Sequence, residues 1–178
     1  GAMGAAFSIP LIENNHKVTL SEPYNLKLLK KLSLKKKFHP ALKINLPKQL
    51  VIQKFSSDIL TFKWDLIVIA VSSIGIDSIG EYLKNFKKIT PILVLTKGLK
   101  FDKNKIITMT EQILKNNKRL NISALKGPCL AKELSRKVKS YTVVANKNIK
   151  IAKNIGSIIS TNFYKTEYST GVRGVEFS

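Results

Sequence analysis

The sequence has little cysteine, histidine and acid, and it has no long apolar run. Of its 178 residues, one is cysteine, two are histidine and 11 are acidic. A single cysteine, Cys129, excludes an internal disulfide and is typical of a reducing compartment, so we expect a cytoplasmic protein. The longest strongly apolar run, Leu66 to Val71, has the length of a strand and is far too short to span a membrane. The N-terminal stretch has no basic n-region, so we also expect no secretory signal.

Arginine is scarce although the chain is strongly basic. The formal net charge is +20 at pH 7, and the only arginines are Arg119, Arg136 and Arg173. Strong basicity favours a polyanion partner, whereas base readers and phosphate clamps favour arginine forks. Lysine, isoleucine and asparagine together are what AT-rich codons produce. We therefore expect no nucleic-acid partner, and a basic nucleic-acid-binding module stays open as the alternative.

The glycines that the chain does contain begin with a short motif. Residues 1 to 6 read Gly1-Ala2-Met3-Gly4-Ala5-Ala6, which is the second half of a G-x-G-x-x-G turn. In such a turn the backbone approaches a pyrophosphate closely, and a helix N-terminus offers free N–H groups to the phosphates. We expect the first glycine and the strand before it to lie outside these residues.

Apolar periodicity predicts strands that alternate with helices. The run from Asp65 to Val71 is apolar almost throughout, which favours a strand buried on both faces of a parallel sheet. The alternation favours an α/β fold with a doubly wound, mostly parallel Rossmann-type sheet that lacks its first strand and a C-terminal helical domain. Predicted strands cover residues 17–20, 65–71, 92–95, 122–125 and 141–145, and predicted helices cover 24–33, 76–86, 104–116, 130–137 and 149–159.

Ligands of a doubly wound sheet bind beyond the carboxyl ends of the strands, so residues that follow strands are candidates. Glu22 lies 18 residues beyond Gly4, close to the spacing of the acid that binds the adenosine ribose. A carboxylate there would repel a 2′-phosphate and favour NAD over NADP. A solvated glutamate that opens a helix is the alternative. Ser72 follows the predicted strand that ends at Val71. There it would approach the cofactor or cap a helix.

Two later strand ends carry further candidates. Lys97 stands in Thr96-Lys97-Gly98 at the mouth of the sheet, although a plain surface lysine is the commoner case. Gly127-Pro128 precedes the predicted helix 130–137 and places proline at the favoured first position. That arrangement predicts a second anion site at a helix N-terminus.

Five motifs in order resemble those of bacterial NAD(P)-dependent glycerol-3-phosphate dehydrogenases. They are GAMGAA, DLIVIAVSS, LTKGL, LKGPCLAKEL and GVRGVEFS, and together they span nearly the whole chain. T-K-G-L and G-P-x-x-A-x-E in one chain are the specific part. The resemblance implies an oxidoreductase that transfers a hydride between NAD(P)H and dihydroxyacetone phosphate or sn-glycerol 3-phosphate and supplies phospholipid synthesis.

The resemblance also implies residue roles and a domain division. Residues 1–168 would form the NAD(P)-binding domain, and 169–178 would begin a helical substrate domain. The general-base lysine would follow Ser178, so no catalytic residue and no metal ligand are expected within the chain. This half alone should be inactive, and the full-length protein should be a homodimer that acts on a small molecule. The implied cofactor contacts are Gly1, Ala2, Met3, Gly4, Glu22, Ser72, Lys97 and Ala131, and the implied substrate contacts are Lys97, Gly127 and Cys129.

Some positions depart from the family pattern. Ser21-Glu22 stands where a tryptophan and a basic or polar residue are usual. Lys126 replaces a small serine. Cys129 replaces a serine or threonine, whose hydroxyl would donate a stronger hydrogen bond to substrate. Another two-domain dehydrogenase, of the ketopantoate reductase or hydroxyacid dehydrogenase type, is the alternative enzyme.

Overall fold

Helices and strands alternate along the chain in the computed structural model, which describes residues 1–178. The helices are α1 (Ala2–Glu13), α2 (Leu26–Leu32), α3 (Ile76–Tyr82), α4 (Met109–Asn116), α5 (Ala131–Ser135), α6 (Ile149–Ile159) and α7 (Val172–Phe177). The strands are β1 (Thr19–Glu22), β2 (Phe38–His39), β3 (Ile44–Asn45), β4 (Val51–Lys54), β5 (Ile67–Ile69), β6 (Ile92–Val94), β7 (Leu99–Asp102), β8 (Lys105–Thr108), β9 (Ile122–Lys126), β10 (Ser140–Ala145) and β11 (Tyr164–Ser169).

A five-stranded sheet forms the centre, with the strand order β11-β10-β9-β6-β5. β5 pairs with β6, β6 with β9 and β10 with β11 in parallel, whereas β9 and β10 are antiparallel. β6 is buried along its whole length because strands flank it on both edges and helices cover both faces. The predicted α/β class with a mostly parallel sheet is therefore confirmed.

Helices lie on both faces of this sheet, as a doubly wound fold requires. One core cluster joins side chains of α1 and α6 to one face, and a second joins α3 and α4 to the other. α6 shows why the sequence folds so: Ala152, Ile155 and Ile159 recur at spacings of three and four residues, and all are buried. Burying this apolar stripe against the sheet stabilises the helix.

A separate parallel pair, β1 with β4, lies beyond the β5 edge. A cavity of about 730 Å³ lies between the two sheets, lined by Leu20 of β1 and by Val68 and Ala70 of the β5 segment among other apolar side chains. β1 and β5 thus present unpaired edges to the same cavity.

The predicted helix 104–116 is wrong in its first third. Residues 99–108 form a β-hairpin of β7 and β8, and α4 begins only at Met109. Lys103 and Asn104 have φ values of 43° and 65°, so they form the tight two-residue turn that a helix cannot contain. Ile106 fitted the helical spacing, yet it is 39% exposed on the hairpin. The Thr108–Glu111 capping box then starts α4.

Several strands were not predicted at all. β2 and β3 form a small hairpin in the region that we expected to be irregular. β4 pairs only with β1, and β11 pairs only with β10. β11 has the sequence YKTEYS and carries no apolar run, because it is an edge strand with one neighbour. None of the helices is both long enough and apolar enough to cross a membrane.

Candidate functional site

The glycine motif forms the N-terminus of α1. Gly1 is the N-cap residue and accepts a hydrogen bond from Ala5 N at 3.1 Å. The first backbone N–H groups of a helix have no partner within it, so those of Ala2, Met3 and Gly4 are available to an anion. A Cβ atom on Gly4 would lie 3.3 Å from Ala70 Cβ, which is a tight contact, so glycine lets α1 pack closely on the segment after β5. The close approach expected of Gly4 is therefore present.

Glu22, the last residue of β1, lies beside this helix start. Its Oε2 atom accepts a hydrogen bond from the α-amino group of Gly1 at 2.7 Å, and Oε1 accepts from the N–H groups of Tyr24 and Asn25. Burial raises the pKa of the carboxyl, but these hydrogen bonds outweigh it and the net pKa lies below its ordinary value of 4.5. The tertiary structure thus brings Glu22 to the glycine turn. The same carboxylate also accepts hydrogen bonds from the residues that lead into α2. This contact fits the alternative interpretation, in which Glu22 opens a helix.

Ser72 follows the β5 segment and is exposed at the carboxyl edge of the sheet. It is the N-cap residue of a short 3₁₀ helix, Ser73–Gly75, but its side chain makes no capping hydrogen bond. The hydroxyl is therefore available to a ligand, and it lines the same cavity as Gly1 and Glu22.

A small cleft of about 10 Å³ brings one predicted cofactor residue, Met3, next to the three predicted substrate residues. Met3 of α1 lines it, with Lys97 from the end of β6 and Gly127 and Cys129 from the segment after β9. Lys97 is exposed, and its Nζ donates a hydrogen bond to the Gly127 carbonyl at 3.3 Å. Because β6 and β9 are parallel neighbours, their carboxyl ends meet at one edge, which is where a doubly wound sheet binds ligands.

The Gly127 turn requires glycine. Its φ is +152°, and a Cβ atom there would lie 2.8 Å from the carbonyl oxygen of Tyr141. The predicted position of Pro128 is wrong, however: α5 begins at Ala131 with Leu130 as N-cap, so Pro128 is not at its first position. α5 has only five residues, and we assign no anion site to it. Ala131 is half-buried and packs against the core cluster that contains α1.

Cys129 is a buried thiol rather than a nucleophile. Burial raises the pKa of its thiol, so the group stays protonated at neutral pH. The phenol of Tyr164, on β11, lines the same cleft, and burial also raises its pKa. Both groups are neutral and mostly enclosed, so they give the cleft an apolar wall with weak polar contacts.

Lys126 is the residue of this cleft to which the sequence gave no role. It is the last residue of β9, only 5% exposed, and its Nζ donates to the carbonyl of Thr96 at 2.6 Å. A lysine directly after the apolar run Ile122–Leu125 was visible in the sequence as a departure from a small serine. The Lys126 side chain reaches the end of β6 because β9 pairs with β6, and the sequence does not show this pairing.

The residues present fit a dinucleotide. The α1 N-terminus would hold its pyrophosphate, Glu22 beside this helix start would accept from its ribose hydroxyls, and Gly4 lets the helix lie close to the segment after β5. The Lys97 ammonium would face the other end of the same ligand.

A mostly parallel, doubly wound sheet with a glycine turn at its carboxyl edge is a dinucleotide-binding domain of the dehydrogenase class. The family model described as NAD-dependent glycerol-3-phosphate dehydrogenase N-terminus matches residues 1–152. The chain belongs to this family.

Curated relatives and a solved structure agree with the family. The chain is similar to the NADP(+)-dependent glycerol-3-phosphate dehydrogenase of Archaeoglobus fulgidus, with 24% identity over 100% of this chain and 54% of the relative. It is 28% identical to the glycerol-3-phosphate dehydrogenase [NAD(P)+] of Francisella tularensis, over 99% of this chain and 53% of that protein. The crystal structure of the Coxiella burnetii glycerol-3-phosphate dehydrogenase superimposes with a TM-score of 0.81 at 19% identity, over 96% of this chain and 51% of that one. The chain spans about half the length of the curated relatives it matches.

Proposed function

We propose that these residues are the cofactor-binding half of an enzyme that transfers a hydride between NAD(P)H and dihydroxyacetone phosphate, forming sn-glycerol 3-phosphate. The observation that carries this proposal is that Met3, Lys97, Gly127 and Cys129 lie together at the carboxyl edge of the sheet. Met3 belongs to the turn that would bind the cofactor, and the Lys97 ammonium is a cation that a phosphorylated substrate would contact. The relatives that share the family carry the same activity in their names.

In this proposal the cofactor contacts come from the helices α1 and α5 and from the ends of β1, β5 and β6. The N–H groups at the start of α1, from Ala2 to Gly4, donate to the pyrophosphate. Glu22 accepts from the ribose hydroxyls and favours NAD over NADP, because a carboxylate repels a 2′-phosphate. Ser72 donates from the end of β5, and Ala131 offers a small contact from α5.

Lys97 is the residue that contacts the reacting groups. The bound nicotinamide supplies the hydride that is added to C2 of the ketone. The Lys97 ammonium would donate a hydrogen bond to the substrate oxygen or phosphate and stabilise the negative charge that develops there. Gly127 lets the backbone approach the substrate closely, and Cys129 borders it without taking part in bond making. We assign the proton transfer to none of the described residues.

The remaining parts of the proposal concern organisation and setting. Residues 1–168 form the cofactor domain and 169–178 begin the substrate domain, with a homodimer as the assembled state. The enzyme acts in the cytoplasm, feeds phospholipid synthesis and binds no nucleic acid. The scarcity of arginine supports this last point, since no cluster of arginines accompanies the lysine excess.

Turnover by the complete gene product tests the proposal. We expect NADH oxidation with dihydroxyacetone phosphate, much slower oxidation with ketopantoate, and no turnover by residues 1–178 alone. Lys97→Met should lower kcat/KM roughly 100-fold, because a donor to developing charge is lost. Lys132→Met, at an exposed position of α5, is the matched control and should behave as the wild type. Preference for ketopantoate would support the alternative dehydrogenase. Robust turnover by the 178 residues would contradict the proposal that they form only the cofactor-binding half of the enzyme.

A further inference from the structure

Lys126 lies in an unusual position for a lysine. It ends a strand whose five residues are all buried, and α7 packs on the same strand. Taking an ammonium out of water is costly unless hydrogen bonds and an opposite charge compensate it. A methionine would fill similar space without that cost. The polar contacts of Lys126 are therefore its distinguishing feature.

The electrostatic compensation for Lys126 is incomplete. Burial lowers the pKa of its ammonium, and the Lys97 ammonium lowers it further, whereas the Glu176 carboxylate on α7 raises it. Both carboxylate oxygens of Glu176 already accept hydrogen bonds from Thr110. The one hydrogen bond of the Lys126 ammonium goes to the Thr96 carbonyl at 2.6 Å.

This bond is part of a chain that joins four strands. Thr96 Oγ1 donates to the carbonyl of Val71 at 2.8 Å, which links β6 to the end of β5. Lys126 Nζ then donates to the Thr96 carbonyl, and Thr142 Oγ1 of β10 donates to the carbonyl of Lys126 at 2.8 Å. The carboxyl ends of β5, β6 and β9 are thereby fixed relative to one another.

The same bond fixes the peptide directly before Lys97. Lys97 and Gly98 are exposed, and Gly98 turns the chain away with a φ of +131°. The Lys97 ammonium contacts Gly127, the neighbour of Lys126, while the Lys126 ammonium contacts Thr96, the neighbour of Lys97. The two lysines thus tie residues 96–97 and 126–127 together reciprocally.

We propose that Lys126 is a positioning residue that holds the Thr96–Lys97 segment so that the Lys97 ammonium faces the substrate. The proposal rests on the proposed function, in which Lys97 contacts that substrate. A rigid donor to the Thr96 carbonyl fixes where the Lys97 backbone starts, and a misplacement of about 1 Å at such a site costs up to about 100-fold in rate.

A double-mutant cycle in the complete gene product tests this. Lys126→Met removes the bond, and Lys126→Arg keeps a cation with long reach to Thr96. We expect Lys126→Met to raise KM for dihydroxyacetone phosphate and to lower kcat/KM roughly 10- to 100-fold with little change in the Kd for NADH. Lys126→Arg should recover most of the loss. The Lys97→Met, Lys126→Met double variant should be no worse than Lys97→Met, because the second lysine acts through the first.

The alternative outcomes are distinct. Wild-type kinetics for Lys126→Met, losses that add fully in the double variant, or no recovery with Lys126→Arg would each overturn the positioning role. Lys97→Met with unchanged kinetics would instead contradict the proposed function. If Lys126→Met does not fold by circular dichroism, Lys126→Ser replaces it in the same cycle, since serine is the residue that the family resemblance expects at this position.

Discussion

The carboxylate of Glu176 accepts both hydrogen-bond donors of Thr110, the backbone N–H at 3.1 Å and the hydroxyl at a shorter distance. Thr110 is 2% exposed and Glu176 is 6% exposed, so this contact joins the last helix to the start of α4 out of contact with water. A buried carboxylate needs such donors, since its desolvation is otherwise uncompensated. The contact explains why α7 packs on the sheet although it has only six residues.

Thr110→Val should destabilise the chain. The substitution keeps the shape of the side chain and removes one hydrogen bond to a buried charge, which costs roughly 1.5 to 3 kcal/mol. Urea unfolding followed by circular dichroism would measure the change in the free energy of unfolding. Thr170→Val, at an exposed position with no side-chain hydrogen bond, should change it by less than about 0.5 kcal/mol. Equal effects of the two substitutions would contradict the importance of the Glu176 contact.

Gly127→Ala should destabilise both the turn and the cleft. At a φ of +152° an added Cβ would meet the Tyr141 carbonyl oxygen at 2.8 Å and Thr142 Cα at 3.0 Å, and both are backbone atoms that cannot move aside easily. We expect a loss of roughly 1 to 3 kcal/mol in the free energy of unfolding. Gly174→Ala is the matched control, because nothing lies within 4 Å of its Cβ position. It lies in a helix and should be neutral or stabilising by up to about 1 kcal/mol.

Glu22 should make residues 1–178, with their free α-amino group at Gly1, less stable in acid. Its pKa is lowered in the folded state from the ordinary value of 4.5, so the unfolded state binds more protons as the pH falls below that value. The stability that Glu22 contributes is therefore complete above its unfolded pKa and is lost as the pH falls through the folded one. Glu22→Gln should flatten this part of the curve of unfolding free energy against pH.

The control for Glu22 is Glu81, which is exposed and makes no hydrogen bond to a backbone N–H. Glu81→Gln should leave the acid limb of the curve unchanged. An acid limb that is identical in the wild type and in Glu22→Gln would show that the hydrogen bonds to Glu22 do not stabilise the charged form.

Cys129 should react slowly with thiol reagents in the native state. It is 5% exposed, and burial raises the pKa of its thiol, so little reactive thiolate reaches solvent. Reaction with a disulfide reagent should be complete within the mixing time in urea and much slower in its absence. Ser78→Cys, in a Cys129→Ser background, gives the exposed control on α3 and should react quickly in both conditions. Rapid native reaction of Cys129 would place the thiol at the surface of the cleft.

The core strands of the fold were predictable because they are short apolar runs between turn residues. Leu66 to Val71 and the run at 92–95 could be assigned without tertiary information, although β5 itself is shorter than the run that predicted it. The β7–β8 hairpin was missed because Ile106, Met109 and Ile113 share a helical spacing across the turn at Lys103-Asn104. β11 was missed because an edge strand needs no continuous apolar pattern.

The candidate site divides in the same way. Gly4, Lys97 and Gly127 follow strands or start a helix, and the structure places all three at one edge of the sheet. Pro128 was misplaced because it lies before Leu130, the N-cap residue, and not at the first position of α5. The roles of Gly4, Lys97 and Gly127 toward cofactor and substrate stay predictions.

The sequence by itself determined the family, the alternation of strands and helices and the glycines that the turns require, because each depends on residues close together in the chain. Only the tertiary structure decided that Glu22 meets Gly1, that Glu176 meets Thr110 and that Lys126 holds the Thr96 carbonyl. These contacts join residues 21, 66 and 30 positions apart. Strand order and register set such distances, and neither is contained in the local pattern of the chain.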